Sequence, residues 1–191
     1  MRISGDLSWP CYRVLTGDWI LSKIAVLITD MFQDVEYEQP AEAFRNAGHQ
    51  LVLVGLKANA VIKGEHGATV TVDRAVRDVS VSDFDALFIP GGYSPDKLRV
   101  NPDAVRFAKN FVESNKPVFA ICHAAQILIT AQVLEGRRVT GWISIIQDIK
   151  NAGAEYVDAE VVVDGNIVSS RKPDDIPAFV RASLEMLGRK K

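Results

Sequence analysis

The 191-residue chain has few cysteines, only Cys11 and Cys122, and they lie far apart in sequence. Two distant cysteines in different sequence contexts do not make a disulfide framework, so both are expected to be reduced thiols. Histidine is scarce as well, because His49, His66 and His123 are the only three and are scattered. Without a histidine cluster, a close cysteine pair or a phosphate-cradling glycine motif, the sequence predicts no metal site and no cofactor.

Neither basic nor acidic residues are in clear excess. The 22 lysines and arginines are nearly matched by 24 aspartates and glutamates, which gives a formal net charge of −2. Proteins that bind nucleic acids by neutralising phosphates usually carry a basic excess, so no nucleic-acid partner is predicted. The one basic run, at residues 189–191, is interpreted as a solvated C-terminus.

Long hydrophobic runs are also missing. No apolar segment approaches the roughly 20 residues that a membrane span needs. Gly5, Asp6, Pro10, Arg13 and Asp18 interrupt the apolar stretch that a signal peptide would require near the N-terminus. We therefore expect no membrane association, and the reduced thiols favour a cytoplasmic location.

The sequence does have the composition of an ordinary folded protein, with 48% hydrophobic and 24% charged residues. Its length suits one compact domain. Residues 1–22 contain two of the three tryptophans but no assignable periodicity, so they are interpreted as an N-terminal extension of unknown role. Residues 23–191 are predicted to form the single domain.

Strand-length apolar runs alternate with amphipathic helical segments in this domain. Strands are predicted at 23–29, 50–55, 86–90 and 117–121, hairpin arms at 68–73 and 160–168, and helices at 38–47, 101–114, 124–133 and 177–187. Continuous apolar strands are typical of a parallel sheet that is covered on both faces. The pattern predicts an α/β, flavodoxin-like three-layer sandwich with a mostly parallel sheet. Its chemistry should lie at the carboxyl ends of the strands.

Cys122 stands where a predicted strand runs directly into a predicted helix. Ala120 and Ala124, two residues to either side, are small, as the tight turn of a nucleophile elbow requires. The start of the helix is expected to lower the pKa of the thiol and make it reactive. The alternative is a buried structural cysteine at the end of a strand.

Two more features belong to the same predicted edge of the sheet. Gly91 and Gly92 follow a strand, where they could form either a simple turn or part of an oxyanion hole. In the second case the N–H groups of Gly92 and His123 would lie beside the sulfur. Glu36 is predicted on the loop after the first strand, either as a protonated hydrogen-bond donor to the Cys122 thiolate or as a solvated residue.

These motifs lie within five longer stretches that resemble one family. The stretches are KIAVLITDMFQDVEYEQPAEAFRNAGH, FDALFIPGGYSPDKLR, KPVFAICHAAQILI, NAGAEYVDAEVVVDGN and SSRKPDDIPAF. In order and spacing they resemble the PfpI branch of the ThiJ/PfpI superfamily, with its class I glutamine amidotransferase-like fold. Members of this branch are intracellular cysteine peptidases, general stress proteins and protein deglycases. The resemblance covers about residues 23–187.

The resemblance implies roles for individual residues. Cys122 matches the family nucleophile, His123 its neighbouring histidine, and Glu36 the glutamate that contacts the sulfur. Gly92 matches the glycine of the oxyanion hole. Asp96 falls where members of this branch place an acid that reaches the histidine of a neighbouring subunit, so a homo-oligomer is expected, either a dimer or a dimer-based hexamer.

The chain departs from the family pattern in two places. Asp96 replaces the glutamate of archaeal peptidase-like members and is one methylene shorter. Ala124 and Ala125 replace the usual Gly-Pro after the Cys-His pair, which puts the local turn and substrate access in question.

The resemblance implies a PfpI-like cysteine-dependent hydrolase that acts in stress protection. Its machinery suits both peptide hydrolysis and the removal of dicarbonyl adducts, a protein deglycase or glyoxalase-type activity. The second is favoured, because a small pocket over an elbow suits a small dicarbonyl or glycated substrate better than a long peptide. The alternative is a non-enzymatic redox-sensing or chaperone-like stress protein that uses Cys122 oxidation. A glutamine amidotransferase subunit is excluded because the chain has no histidine after His123.

Overall fold

The computed structural model describes residues 21–188. The strands are β1 (Lys23–Leu27), β2 (Gln50–Gly55), β3 (Val61–Lys63), β4 (Thr69–Thr71), β5 (Arg74–Ala75), β6 (Ala86–Ile89), β7 (Val118–Ile121), β8 (Arg138–Val139), β9 (Glu155–Tyr156), β10 (Val161–Asp164) and β11 (Ile167–Ser170). The helices are α1 (Asp34–Asn46), α2 (Ser94–Leu98), α3 (Pro102–Glu113), α4 (Ala125–Thr130), α5 (Ile146–Asn151) and α6 (Ile176–Gly188).

The central sheet has seven strands in the order β10-β11-β7-β6-β1-β2-β5. Every neighbouring pair in it is parallel except β10 and β11, which form an antiparallel hairpin. Strands β3 and β4 pair as a separate hairpin, and β8 pairs with β9. The predicted α/β fold with a mostly parallel sheet is confirmed.

Helices cover both faces of the sheet because alternate residues of each strand point to opposite sides. On β1, Ala25 and Leu27 pack into a core shared with α3, α4 and α5. The other face of β1 packs into a second core with α1 and α6. There the ring of Phe44 on α1 lies 5.7 Å from Phe88 and 5.6 Å from Phe119, centroid to centroid. The result is the predicted three-layer arrangement.

Helix α1 begins at Asp34, not at residue 38 as the sequence predicted. Gln33 caps it, with its side-chain oxygen accepting the N–H of Val35 at 3.0 Å. Asp34 and Glu36 then occupy the first turn, where the negative charge of Asp34 complements the helix dipole. The prediction that Glu36 lies on a loop is therefore wrong, because this residue is part of a helix.

The helix after Cys122 is shorter than predicted. Residues Cys122–Ala124 form a 3₁₀ turn, and α4 has only six residues. Since few peptide dipoles are aligned behind the sulfur, the helix contributes less positive potential there than a longer one would.

The parallel strands β1, β6 and β7 are neighbours, and their carboxyl ends meet at one edge of the sheet. A bridge between Phe32 and Gly92 ties the segments that follow β1 and β6. This edge brings together the segments that carry Glu36, Gly92 and Cys122.

In the stretch from residue 21 to 188, none of the helices combines the length and apolar character needed to cross a membrane.

Candidate active site

Cys122 lies at the corner between β7 and the following 3₁₀ turn, with a φ of +61°. This left-handed conformation is strained for a residue with a side chain, and it persists only where the surroundings enforce it. Ala120 and Ala124 are both buried, so the small residues predicted on either side of the cysteine pack tightly there. The residue is only 7% exposed. The strand-to-helix turn predicted at Cys122 is confirmed.

The electrostatic surroundings of the thiol differ from the sequence-based prediction. Burial is the main cause that raises the pKa of Cys122, and the Glu36 carboxyl raises it further when that group is ionised. The backbone N–H groups of Gly92 and His123 face the sulfur and lower the pKa, but they do not outweigh burial. The predicted lowering of the Cys122 pKa is therefore wrong in direction. At rest the sulfur is a protonated thiol, which needs a base to become a nucleophile.

Glu36 reaches the sulfur from the first turn of α1 and is completely buried. Neither carboxyl oxygen has a hydrogen-bond partner of good geometry, and the polar groups beside them are the Cys122 thiol and the Gly91 backbone. Burial raises the pKa of Glu36 to about 8. The carboxyl is thus mainly protonated at neutral pH and can donate a hydrogen bond to the sulfur when a thiolate forms.

Gly91 is a glycine because no space remains for a side chain. A Cβ at this position would overlap Oε2 of Glu36 and would lie 2.6 Å from Cβ of Cys122. Gly92 has a φ of +76°, and a Cβ there would lie 2.6 Å from the Met31 carbonyl oxygen. The glycine pair lets the backbone pass close to the sulfur, as an oxyanion hole requires.

Replacing Gly91 by alanine is expected to destabilise the fold by about 1–3 kcal/mol, because the added methyl forces Glu36 and Cys122 apart. Reactivity of the Cys122 thiol toward iodoacetamide should change in the same variant. Urea unfolding and alkylation kinetics provide the two measurements. The control for the alkylation kinetics is Gly136→Ala, at a turn distant in sequence where a Cβ meets nothing within 4 Å, although its φ of +70° makes an alanine there strained in its own right. Thiol kinetics equal to those of the control would contradict the close packing described for Gly91.

His123 lies between the sulfur and the segment that follows β8. Its Nδ1 is 3.3 Å from Cys122 Sγ, and its Nε2 is 3.2 Å from Oγ of Ser144. Burial lowers the pKa of His123, although the charges of Glu65 and Asp96 oppose this effect. The ring is therefore neutral at pH 7, so one of its nitrogens is free to accept a proton.

Asp96 lies on α2, with its side chain 56% exposed and Oδ1 4.0 Å from Nη1 of Arg99. Its charge reaches His123 of the same chain, but among the described residues the structure records no hydrogen bond between the two. Glu36, Gly92, Cys122 and His123 come together as predicted, and Asp96 stands at the rim of this group.

Sequence analysis missed Glu65, Trp142 and Ser144. Glu65 comes from the β3–β4 hairpin, and its Oε1 accepts the N–H of Tyr93 at 3.2 Å. The ring of Trp142 lies 6.2 Å from that of His123, centroid to centroid. All three belong to segments distant in sequence from the elbow and without a motif of their own. His66 lies on the same hairpin, is exposed, and contacts Gln33.

Between residues 21 and 188, no group of three or more histidine, cysteine, aspartate or glutamate side chains is arranged to hold a metal ion. The free cysteine of this part of the chain is Cys122. Cys11 and most of the predicted N-terminal extension lie outside the described residues.

The model of the DJ-1/PfpI family matches residues 22–186. The chain is 54% identical over 165 residues to the Bacillus subtilis (strain 168) protein named "Putative cysteine protease YraA", covering 86% of this chain and 98% of the relative. It is 52% identical over 168 residues to "Protein/nucleic acid deglycase 2" of Escherichia coli (strain K12), covering 87% and 98%. It is 54% identical over 167 residues to "General stress protein 18" of Bacillus subtilis (strain 168), covering 86% and 97%.

Solved structures share the fold. A two-domain protein from Anabaena variabilis ATCC 29413, with DJ-1/ThiJ/PfpI-like and ferritin-like domains, matches with a TM-score of 0.85 and 41% identity. The match covers 87% of this chain and 48% of that protein. Schizosaccharomyces pombe DJ-1 matches with a TM-score of 0.80 and 22% identity, covering 88% of this chain and 93% of that one. The sheet and its flanking helices thus form an α/β DJ-1/ThiJ fold.

Proposed function

The chain belongs to the DJ-1/PfpI family, and on this basis we propose that it is a cytoplasmic cysteine-dependent hydrolase that removes dicarbonyl adducts from proteins under stress. Its relatives carry the names of a cysteine protease, a deglycase and a general stress protein, which support a hydrolase-type enzyme in stress protection. Residues 23–191 are proposed as its single catalytic domain.

One observation carries the proposal: the Cys122 sulfur is in contact both with an imidazole that can accept its proton and with a carboxyl group that can donate a hydrogen bond. His123 Nδ1 lies 3.3 Å away and is neutral at pH 7, so it can accept the thiol proton. Glu36 is buried and mainly protonated, so it can stabilise the developing thiolate. The Gly92 and His123 N–H groups face the same sulfur, and we assign to them the stabilisation of the oxyanion.

The reaction needs no external oxidant. Cys122 gives its proton to His123 and bonds to the carbinol carbon of the adduct, while His123 returns the proton to the leaving amine. In the hemithioacetal that results, the hydrogen on the sulfur-bearing carbon moves to the neighbouring carbonyl carbon, and the hydroxyl proton of the sulfur-bearing carbon passes to the oxygen of that carbonyl. The product is the thioester of a 2-hydroxy acid. Water then cleaves the thioester, releases the acid and restores the thiol.

The exposure of Cys122 favours a small substrate group. With 7% of its surface accessible, the residue offers little room for an extended peptide backbone. A two- or three-carbon dicarbonyl adduct on a protein side chain reaches a recessed sulfur more easily. Peptide hydrolysis is therefore proposed only as a secondary activity.

A parallel assay tests the proposed function. The purified protein is incubated with a methylglyoxal-treated peptide and with the same peptide untreated, and mass spectrometry follows both. The proposal predicts release of a 2-hydroxy acid and recovery of the free side chain without cleavage of the peptide. Equal cleavage of both peptides would indicate a peptidase. No turnover, with peroxide oxidising Cys122, would indicate the redox-sensing alternative.

We also propose that the active unit is at least a dimer in which Asp96 of one subunit acts on His123 of the other. A two-fold interface forms two equivalent sites at once, and each site contains the Asp96 carboxylate of the neighbouring subunit. Mixing Cys122→Ser protomers with Asp96→Asn protomers should then restore part of the activity, since some heterodimers hold one intact site. Steady-state rates after subunit exchange provide the measurement.

The control for this experiment is a mixture of Cys122→Ser with Glu36→Gln. Glu36 and Cys122 touch within one chain, so no heterodimer of these two variants contains an intact site. Activity that fails to return in the Asp96→Asn mixture after confirmed exchange, or full activity in a strict monomer, would contradict the shared site.

A further inference from the structure

Glu65 lies beside the active site, on the turn of the β3–β4 hairpin. Its carboxylate oxygen Oε1 accepts the N–H of Tyr93 at 3.2 Å, and Tyr93 directly follows Gly92. The Glu65 N–H donates to the carbonyl oxygen of Phe32 at 2.9 Å, and Phe32 is bridged to Gly92. Two hydrogen bonds thus attach Glu65 to the segments that hold this glycine next to the sulfur.

The hairpin turn is itself fastened to the start of α1. The buried carboxylate of Asp34, in the first turn of that helix, accepts two backbone N–H groups of the hairpin at 2.9 Å and 2.8 Å. Gly64 leaves room for this contact, because a Cβ there would overlap the Asp34 carboxylate. Since α1 also carries Glu36, the position of Glu65 is fixed relative to the buried carboxyl of the active site.

Glu65 contributes a negative charge to the site. Within residues 21–188, its carboxylate is bonded to a backbone N–H and to no basic side chain. Its charge opposes the burial that lowers the pKa of His123 and adds to the burial that raises the pKa of Glu36. Asp96 acts on His123 with the same sign, although Arg99 lies 4.0 Å from its carboxylate. In the shared site proposed above, Asp96 of the neighbouring subunit adds to this negative charge.

We propose that Glu65 is a specificity-determining residue that gives the surroundings of the Cys122 thiol a negative potential and so favours substrates with positive charges beside the reacting group. Charges around a recessed site attract ligands of opposite sign and repel ligands of the same sign. The favoured substrates are dicarbonyl adducts on protein segments rich in basic residues. This preference among adducts rests on the proposed function, whereas the sign of the potential at the sulfur does not.

Two thiol reagents of opposite charge measure this potential. Trimethylammonioethyl methanethiosulfonate is a cation and sulfonatoethyl methanethiosulfonate is an anion, and with both the thiolate displaces methanesulfinate and forms a disulfide. At one pH the thiolate fraction is the same for both reagents, so it cancels in the ratio of the two rate constants. All proteins carry Cys11→Ser, which leaves Cys122 as the single cysteine of the chain.

Three further substitutions are compared in this background. Glu65→Gln removes the charge and keeps a side-chain oxygen that can accept the Tyr93 N–H, while Glu65→Asp keeps the charge. The control Glu185→Gln removes an equal charge from an exposed position near the end of α6. Because α6 follows β11, which is parallel to β7, this helix starts at the edge that carries the site and ends away from it.

Substrate preference is tested with two methylglyoxal-treated peptides that contain one lysine each. The flanking residues are trimethyllysine, which methylglyoxal does not modify, or glutamate. The unsubstituted protein should have the higher kcat/KM on the cationic peptide, mainly through KM, and Glu65→Gln should lose most of this preference. A preference that Glu65→Gln retains in full would contradict the proposal. If neither peptide is turned over, the proposed function fails, while the reagent ratio still decides the role of Glu65.

At low ionic strength, the ratio of cationic to anionic rate constants should fall roughly threefold to tenfold in Glu65→Gln, and salt at about 0.5 M should remove most of this difference. The ratio should stay near its starting value in Glu65→Asp and Glu185→Gln. Side-chain NMR of ¹⁵N-labelled histidine reads the same potential without a reaction at the sulfur, and Glu65→Gln should lower the proton affinity of His123 relative to Glu185→Gln. Ratios and His123 titrations that are the same in Glu65→Gln and Glu185→Gln would overturn the proposal, whether or not the protein turns over adducts.

Discussion

Replacing Cys122 by serine is expected to lower turnover of the adduct-bearing peptide roughly a thousandfold or more, the scale seen when an enzyme loses its nucleophile. The reason is chemical, because a serine hydroxyl at this corner is a far weaker nucleophile than the sulfur and His123 alone cannot activate it to the same degree. Steady-state kinetics with the purified variant give the measurement. Stability should change little, since the two side chains differ by one atom.

The chain offers a matched control in its other cysteine. Cys11→Ser is expected to keep the wild-type rate, because the reactive arrangement of His123, Glu36 and the two N–H groups surrounds Cys122. Turnover that persists in Cys122→Ser, or that is lost equally in Cys122→Ser and Cys11→Ser, would contradict the assignment of Cys122 as the nucleophile.

Replacing Glu36 by glutamine is expected to change how stability depends on pH. The folded protein holds the Glu36 proton up to a pKa of about 8, whereas the unfolded chain releases it near 4.5. Between these values the folded state binds more protons, so its stability is fully present below about pH 4.5 and falls as the pH rises toward 8. The gap between the two pKa values corresponds to about 5 kcal/mol.

Glutamine is close in shape to glutamate and does not titrate, so Glu36→Gln should lack this decline. Urea unfolding at a series of pH values from 5 to 8 measures the difference between the two curves. Glu38→Gln is the control, because Glu38 lies on the same helix and is exposed. Wild type and Glu36→Gln curves that run parallel across this range would mean that Glu36 is not held as a protonated acid in the folded protein.

The sheet could be predicted from sequence because each of its central strands is a short, continuous apolar run. Strand β2 occupies residues 50–55, as predicted. Helix α3 also lies where the sequence placed it, since Asn101 caps it by accepting the N–H groups of Asp103 and Ala104. The elbow was visible for a similar reason: its requirement for small residues is local, and Ala120 and Ala124 meet it.

The start of α1 could not be predicted in the same way. Its cap is Gln33, which is not among the residue types that usually begin a helix, so the first turn resembled a loop. That difference moved Glu36 from the predicted loop to the first turn of the helix, where it is completely buried. The pKa of Cys122 was misjudged for a related reason, because a helix end is apparent in sequence while burial and the contact with Glu36 arise only from packing.

Ser144 and Glu65 could not be predicted from the sequence because their contacts join segments that are far apart in the chain. Ser144 reaches His123 across 21 residues of sequence, and Glu65 reaches the Tyr93 N–H across 28. Neither residue belongs to a spacing pattern that sequence reasoning could detect. Residues that adjust a site from neighbouring loops are generally of this kind.

The most direct test of the account is to stop turnover of the methylglyoxal-treated peptide in acid and to locate covalent groups on the protein by intact mass and peptide mapping. We predict one hydroxyacyl group per subunit at most, carried on Cys122 as a thioester. It should be absent from Cys122→Ser. Turnover that proceeds while Cys122 stays unmodified, or a hydroxyacyl group that accumulates on another residue instead, would contradict the assignment of Cys122 as the nucleophile.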